Sequence, residues 1–201
     1  MVILQENTNF VLEGNIVTLV PMEDSHKAEL IRVLMSPNVW EYTWRTMNTT
    51  EELDQVLTDA LANKNKGTQL PFTIFDQASG EIIGTTRIGE LDMINRNAEI
   101  GWTWLSPDYW RTGVNTECKF LLLQHCFEEL NLIRVQFSVS GQNIRSQRSI
   151  ERIGAVKEGV FRKHRVKADG SIHDNVFYSI IDTDWVDVKE KLLFLLSKKY
   201  S

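Results

Sequence analysis

The 201-residue chain reads as one mixed α/β domain, a largely antiparallel sheet flanked by helices. Three observations predict this. Period-two apolar alternation and helical apolar spacing take turns along the chain in the order β–α–α–β–β–β–α–β–α–β–β–α. No Pro/Gly/Ser-rich linker, internal repeat or low-complexity tract interrupts that order. A chain of this length buries roughly 70% of its unfolded surface, so its core needs no disulfide or metal staple.

Residues 15–20 form a short strand. Residues 25–35 carry Ala28, Ile31 and Leu34 at helical spacing, and 50–62 form a second helix with Thr49 or Thr50 as its cap. Strands follow at 71–76, 81–90 and 97–105, separated by 77–80 and the polar turn 92–96, and together they read as a meander. A loop with Pro107, Gly113 and Asn115 leads into a helix over 116–130, where Leu122, Cys126 and Leu130 recur every four residues. Residues 132–139 form a strand and 143–153 a short helix closed by Gly154. Strands 156–166 and 175–182 are joined by a hairpin at Ala168-Asp169-Gly170-Ser171, and Asp184 caps a last helix ending near Lys198.

Composition excludes several classes. Apolar residues are 42% and charged residues 24%, unlike a disordered, collagen-like or coiled-coil chain. No apolar run approaches a membrane span. Residues 1–9 show no basic-then-apolar pattern, so no signal peptide is expected, and two cysteines, Cys118 and Cys126, suit a reducing cytoplasm. The net charge of −5 argues against general nucleic-acid binding. Charge is uneven, however. Residues 1–100 carry 7 Lys/Arg and 15 Asp/Glu, residues 101–201 carry 15 and 12, and the stretch 145–167 has eight basic and two acidic residues. That basic stretch is either a solvated face or a site for a multiply phosphorylated ligand beside an acidic half that suits a cation.

Familiar signatures are missing. There is no G-x-x-x-x-G-K-[ST], G-x-G-x-x-G, C-x-x-C or G-x-S-x-G, and His26, His125, His164 and His173 lack metal-ligand spacing. Three features remain. The loop Trp110-Arg111-Thr112-Gly113-Val114-Asn115-Thr116-Glu117 enters the strongest helix straight after a strand. It is either an ordinary loop capped by Asn115 or Thr116, or a phosphate cradle of helix N–H groups, Gly113 and Arg111. On strand 97–105, alternation sets Glu99, Gly101 and Thr103 against Ala98, Ile100, Trp102 and Trp104. A carboxylate amid so apolar a strand is either a partly desolvated general base or half of an ion pair with Arg87 or Arg134. Asn143-Ile144-Arg145-Ser146 opens a helix directly after a strand, as a capping pair or as a polar dock for substrate.

In this order the pieces resemble the GNAT acetyltransferases, most closely the RimJ/RimL-like ribosomal-protein N-acetyltransferase branch. The matching stretches are Ala98-Glu99-Ile100-Gly101-Trp102, Tyr109-Trp110, Gly113-Val114-Asn115-Thr116-Glu117, Asn143-x-x-Ser146, Ile153-Gly154-Ala155, Glu158-Gly159-Val160-Phe161-Arg162, Asp169-Gly170 and Tyr178-Ser179-Ile180. The resemblance covers roughly residues 13–185. It implies a splayed, mostly antiparallel sheet of six or seven strands that binds acetyl-CoA and uses no metal. Residues 1–12 are then an extension, and 186–201 a helix packed on the same domain.

By that resemblance Arg111, Thr112, Gly113, Val114, Asn115 and Thr116 cradle the pyrophosphate. The backbone near Trp104 and Leu105, together with Asn143, holds the pantetheine arm. Glu99 stands where family members keep a general base, and Ser146 matches the serine that assists the departing thiol. The chain departs from the family at Trp110 and Asn115 of the phosphate loop, and at Ile150, where many members carry a tyrosine acid. Trp40, Tyr42 and Trp44 are either core anchors or one wall of a pocket for a cationic amine. The expected partner is a peptide N-terminus, a polyamine or another small amine, with no nucleic acid or membrane, and the chain is expected to be a monomer or homodimer. A non-catalytic acyl-CoA sensor and a cofactor-free interaction protein are the alternatives.

Overall fold

The computed structural model describes residues 10–43, 45, 47–167 and 169–199. Strands β1 (Leu12–Glu13), β2 (Val17–Pro21), β3 (Leu70–Asp76), β4 (Ile82–Asp92), β5 (Asn97–Leu105), β6 (Arg134–Ser140), β7 (Val156–Val166) and β8 (Ile172–Ile181) make one sheet. Their spatial order is β1-β2-β3-β4-β5-β6-β8-β7. The helices are α1 (Lys27–Leu34), α2 (Pro37–Trp40), α3 (Thr50–Asn65), α4 (Val114–Gln124, continued by a π-helical turn at His125–Glu129), α5 (Ile144–Arg152) and α6 (Trp185–Lys199).

The sheet has eight strands rather than six or seven. The extra one, β1, pairs only Leu12↔Leu19 and Glu13↔Thr18, too short a stretch to show alternation. The four-residue α2, opened by Pro37 at its first turn, lies between the helices expected at 25–35 and 50–62. Other local signals act as their chemistry dictates. Thr49 caps α3 reciprocally with Glu52, and Gly154 follows α5 at φ +107°, a conformation a side chain would strain. At the β7–β8 turn Lys167 N–H donates to Ser171 O, and Gly170 has φ +80°. Ala168 of that turn lies outside the described residues.

Two apolar clusters hold the sheet. One gathers Val114, Cys118, Leu122 and Cys126 of α4 and its continuation with Ile100, Val135, Phe137, Tyr178 and Ile180, and α6 joins through Trp185, stacked on Phe127 at 5.3 Å. The other packs Leu30, Leu34, Trp40, Leu53 and Leu57 of α1–α3 together. Between α4 and the β1–β2 turn lies a carboxylate that sequence reading did not single out. Glu117, 3% exposed, accepts the backbone N–H groups of Asn15, Ile16 and Val17 at 3.0, 2.6 and 2.7 Å.

All neighbouring strands run antiparallel except β5 and β6, which are parallel and pair only at Asn97↔Arg134, Ala98↔Val135 and Glu99↔Gln136. Beyond Glu99 the two strands diverge. A bulge in β5 accompanies the split: Arg87 pairs with Gly101 but Thr85 with Trp104, and Trp102 takes φ +49°. The extra residue reverses the alternation. Thr103 points at α4, where its hydroxyl accepts from Lys119 Nζ at 2.7 Å. Trp104 turns to the α1–α3 face and packs against Trp40 with ring centroids 4.7 Å apart and planes tilted by 50°. The expected grouping of Thr103 with Glu99, and of Trp104 with Ala98 and Ile100, is therefore corrected.

Candidate active site

Glu99 occupies the last paired rung before the split. Its carboxylate accepts from Gln136 Nε2 at 2.9 Å and from Ser138 Oγ at 2.6 Å, both on β6. Neither arginine considered for an ion pair reaches it. Arg134 binds Glu158 through two contacts of 2.6 and 2.5 Å. Buried Arg87 donates to Gln69 Oε1 and Val56 O and lies over the Trp104 ring at 5.4 Å, and burial pulls its guanidinium down to about 10. Glu99 is thus half-buried and aimed by two neutral donors, and among the described residues no cation forms an ion pair with it. Gln136 and Ser138 were legible as alternate polar positions on a strand, but their link to Glu99 needed the parallel register.

On the α4 side of the wedge between the strands is Lys119, 7% exposed. Its ammonium lies 5.9 Å from the Phe137 ring, so it bridges the diverging strands from Thr103 to Phe137. Burial pushes it down to about 8. Among the described residues no carboxylate pairs with it.

The loop at the mouth of the wedge is built differently from the expected cap. Gly113 is the N-cap of α4, and helix geometry begins at Val114. Asn115 does not cap: its Nδ2 donates to Ser149 Oγ of α5 at 3.0 Å. Thr116 is buried and accepts from Arg152 of α5 at 2.8 Å. Both side chains fasten α4 to α5, which leaves the first N–H groups of α4 without side-chain acceptors from these residues. Arg111 is exposed with φ +64°, and Thr112 Oγ1 donates to Tyr109 O at 2.7 Å. Trp110, the departure from the family pattern, is structural. Its indole N–H donates to Leu105 O at 3.0 Å, and Arg145 of α5 lies over its ring at 3.9 Å. Two cations, Arg111 and Arg145, therefore flank a helix N-terminus. Together with the β5 backbone left unpaired on its β6 side, this donor set fits a ligand with phosphates and an amide-bearing arm.

Asn143 caps α5, its Oδ1 accepting from Ser146 N–H at 3.0 Å, so these two residues form the expected pair at the end of β6. Ile150 packs into the core, and no hydroxyl stands at its position. Trp40 is 4% exposed and donates to Leu34 O at 2.8 Å, which makes it a core anchor rather than a pocket wall. Tyr42 is half-exposed, with a phenol raised by the neighbouring Glu41 carboxylate. Trp44 lies outside the described residues.

Comparison with known proteins agrees with this geometry. A family model for the acetyltransferase (GNAT) domain matches residues 17–156. The chain is 35% identical over 106 residues to the "Putative ribosomal N-acetyltransferase YdaF" of Bacillus subtilis (strain 168), a match covering 53% of this chain and 57% of that protein. The matched stretch thus spans little more than half of that relative. A GCN5-related N-acetyltransferase from Brucella melitensis superposes with a TM-score of 0.86 at 28% identity, over 95% of this chain and 87% of that one. RimJ from Mycobacterium smegmatis, solved in complex with CoA-disulfide, shares the fold with a TM-score of 0.76 at 23% identity, over 92% and 90% of the two chains. The chain belongs to the GNAT acetyltransferase family.

Proposed function

We propose that this protein transfers an acetyl group from acetyl-CoA to a primary amine, either a protein N-terminal α-amine or a small amine. The observation that carries this reading is the Glu99 carboxylate, held by Gln136 and Ser138 where β5 and β6 part. Acetyl-CoA, when bound, supplies an acyl group activated as a thioester. The N-terminus of α4 with Arg111, Thr112, Gly113, Val114, Asn115 and Thr116 holds its phosphates. The backbone at Trp104 and Leu105, with Asn143, holds its arm. Glu99 takes the proton from the amine, directly or through one water, and Ser146 donates to the departing sulfur.

The magnitudes favour an α-amine. Its pKa of about 7.7–8.0 makes the neutral form cost only about 1 kcal/mol at pH 7, against about 4–5 kcal/mol for a lysine near 10.4. One carboxylate suffices for the smaller task. A thiol of pKa about 8.5 leaves without a strong acid, so a hydroxyl is adequate and Ile150 is tolerated. Positioning of amine and thioester supplies much of the rest.

The test is CoA release across a panel of amines. Glu99→Gln is expected to lower kcat by about 10²–10⁴-fold while leaving the thermal shift produced by CoA in place. An unchanged kcat at saturating amine across pH would remove Glu99 as the base. A ligand at 100 times its Kd stabilises by about 2.7 kcal/mol, so no shift with millimolar CoA would leave the interaction-protein reading.

A further inference from the structure

The basic stretch 145–167 is not one site in the folded chain. Arg145, Arg148 and Arg152 lie on α5, beside the α4 N-terminus, whereas Arg162, Lys163 and Arg165 lie on β7 at the far edge of the sheet. The CoA reading absorbs the first group and leaves the second unexplained. Among the described residues β7 pairs only with β8, so its outer edge presents backbone groups that none of them pairs, and every one of its residues is exposed except the half-buried Gly159. Its one acid, Glu158, is taken by Arg134. Among the described residues no carboxylate lies within ion-pair distance of the Arg162, Lys163 or Arg165 side chains.

The edge is also shaped. Phe161 pairs with Asn175 and Arg165 with His173, so three residues of β7 face Asp174 alone. Lys163 takes φ +52°, and its N–H donates to Asp174 Oδ1 at 2.8 Å, which pins this bulge. The result is an open depression of about 570 Å³ lined by Phe161, Arg162, Lys163 and His164. Phe161, 53% exposed, packs at 4.3 Å from Phe177 and 5.3 Å from His164. Opposite Phe161, the Asn175 side chain is fully buried, with neither end of its amide hydrogen-bonded. Phe177 pairs with Ser138, the residue that donates to Glu99, so the depression and the carboxylate share one face of the sheet.

We propose that the bulged edge of β7 docks an extended, acidic segment of the acceptor polypeptide, downstream of the amine that Glu99 serves. This rests on the amine-acetylation reading above. An extended peptide satisfies an open strand edge with its own backbone, which a nucleic acid does not. A second copy of this chain would bring Arg162, Lys163 and Arg165 of two strands together, and like charges repel. Three strand spacings and four residues of offset separate Glu99 from Phe161, at the near end of the bulge, by about 19 Å, or roughly six extended residues. The acidic group is therefore placed about six residues after the amine.

The test uses peptides with one shared N-terminal sequence and a Glu, Gln or Lys triplet placed about six residues in. Their turnover is followed by CoA release, and an N-acetylated, unreactive acidic peptide reports binding alone. The Glu peptide is expected to show about tenfold lower KM than the Gln peptide, a gap that closes with salt. Arg162→Glu with Lys163→Glu, and the milder Arg162→Gln with Lys163→Gln, are expected to abolish the gap and leave turnover of a dipeptide acceptor unchanged. Equal KM values for the Glu and Gln peptides would overturn the proposal. So would single-stranded poly-U binding through these residues while the acidic peptide does not bind. Binding of the acetylated acidic peptide, lost in both variants, with no CoA release from any acceptor would sustain the docking site and overturn the catalytic reading alone.

Discussion

The two halves of the sheet are covered differently. Strands β2–β5 have helices on both faces, α1 and α3 on one and α4 on the other. The β6–β8–β7 half packs Val135, Phe137, Val139, Val176, Tyr178 and Ile180 into the apolar core through one face. Its opposite face carries Gln136, Ser138, Ser140, Asn175, Phe177 and Ser179. In the covered half a polar group must find a partner inside the protein or destabilise it. On the other face of the open half Gln136, Ser138 and Phe177 are half-buried, whereas Ser140, Asn175 and Ser179 are buried and the Asn175 amide makes no hydrogen bond. Glu99 stands on the seam between the two halves.

The largest stability effect belongs to the covered half. Glu117 satisfies three backbone N–H groups, of which that of Val17 is buried, so Glu117→Ala leaves the Val17 N–H stranded and unpins the turn. The expected cost is about 3–5 kcal/mol by denaturant unfolding. A cost under about 1 kcal/mol would mean that the β1–β2 turn is not anchored through α4. Lys119 shows the opposite sign. Burial holds its folded pKa near 8, below the ordinary 10.5, so the unfolded chain binds more protons between those values. Stability should therefore rise with pH across that window, by at most about 3 kcal/mol, with the penalty fully present below pH 8. Lys119→Met loses one hydrogen bond to Thr103 but removes the penalty. A net gain of about 1–2 kcal/mol at pH 7 and a flat profile to pH 10 are expected. A destabilised variant that keeps the rise would show that some other group titrates.

The same contrast decides what could be read from the sequence. Elements whose signals are local were legible: the Thr49–Glu52 box, the Asn143 cap, Gly154 after α5 and the β7–β8 turn all rest on contacts within a few residues. Glu99 itself stood out as a carboxylate in an apolar strand. Its partners did not, because Gln136 and Ser138 reach it across a parallel register that no local pattern encodes. The orientation of Trp104 was lost to a single residue in left-handed conformation at Trp102, since alternation assumes an unbroken pleat. Asn115 and Thr116 are good cap residues by type, yet both are spent on Ser149 and Arg152 of α5. A tertiary contact overrode a local preference there. The Glu117 anchor spans about a hundred residues of sequence and left no local trace.

The smallest effect sharpens the comparison from the open half. The Arg134 guanidinium holds the Glu158 carboxyl down to about 2, with Ser179 Oγ as a further donor. A folded pKa below the ordinary carboxylate value contributes stability that is present above about pH 4.5 and lost as pH falls towards 2. The two side chains are 31% and 39% exposed, and solvent screens such a pair. Glu158→Ala is expected to cost less than about 1 kcal/mol at pH 7 and almost nothing at pH 2. A double-mutant cycle with Arg134→Ala should assign most of that to the pair. A cost rivalling that of Glu117→Ala would mean that the outer strands support the fold, and that β7 is not free to serve as a recognition edge.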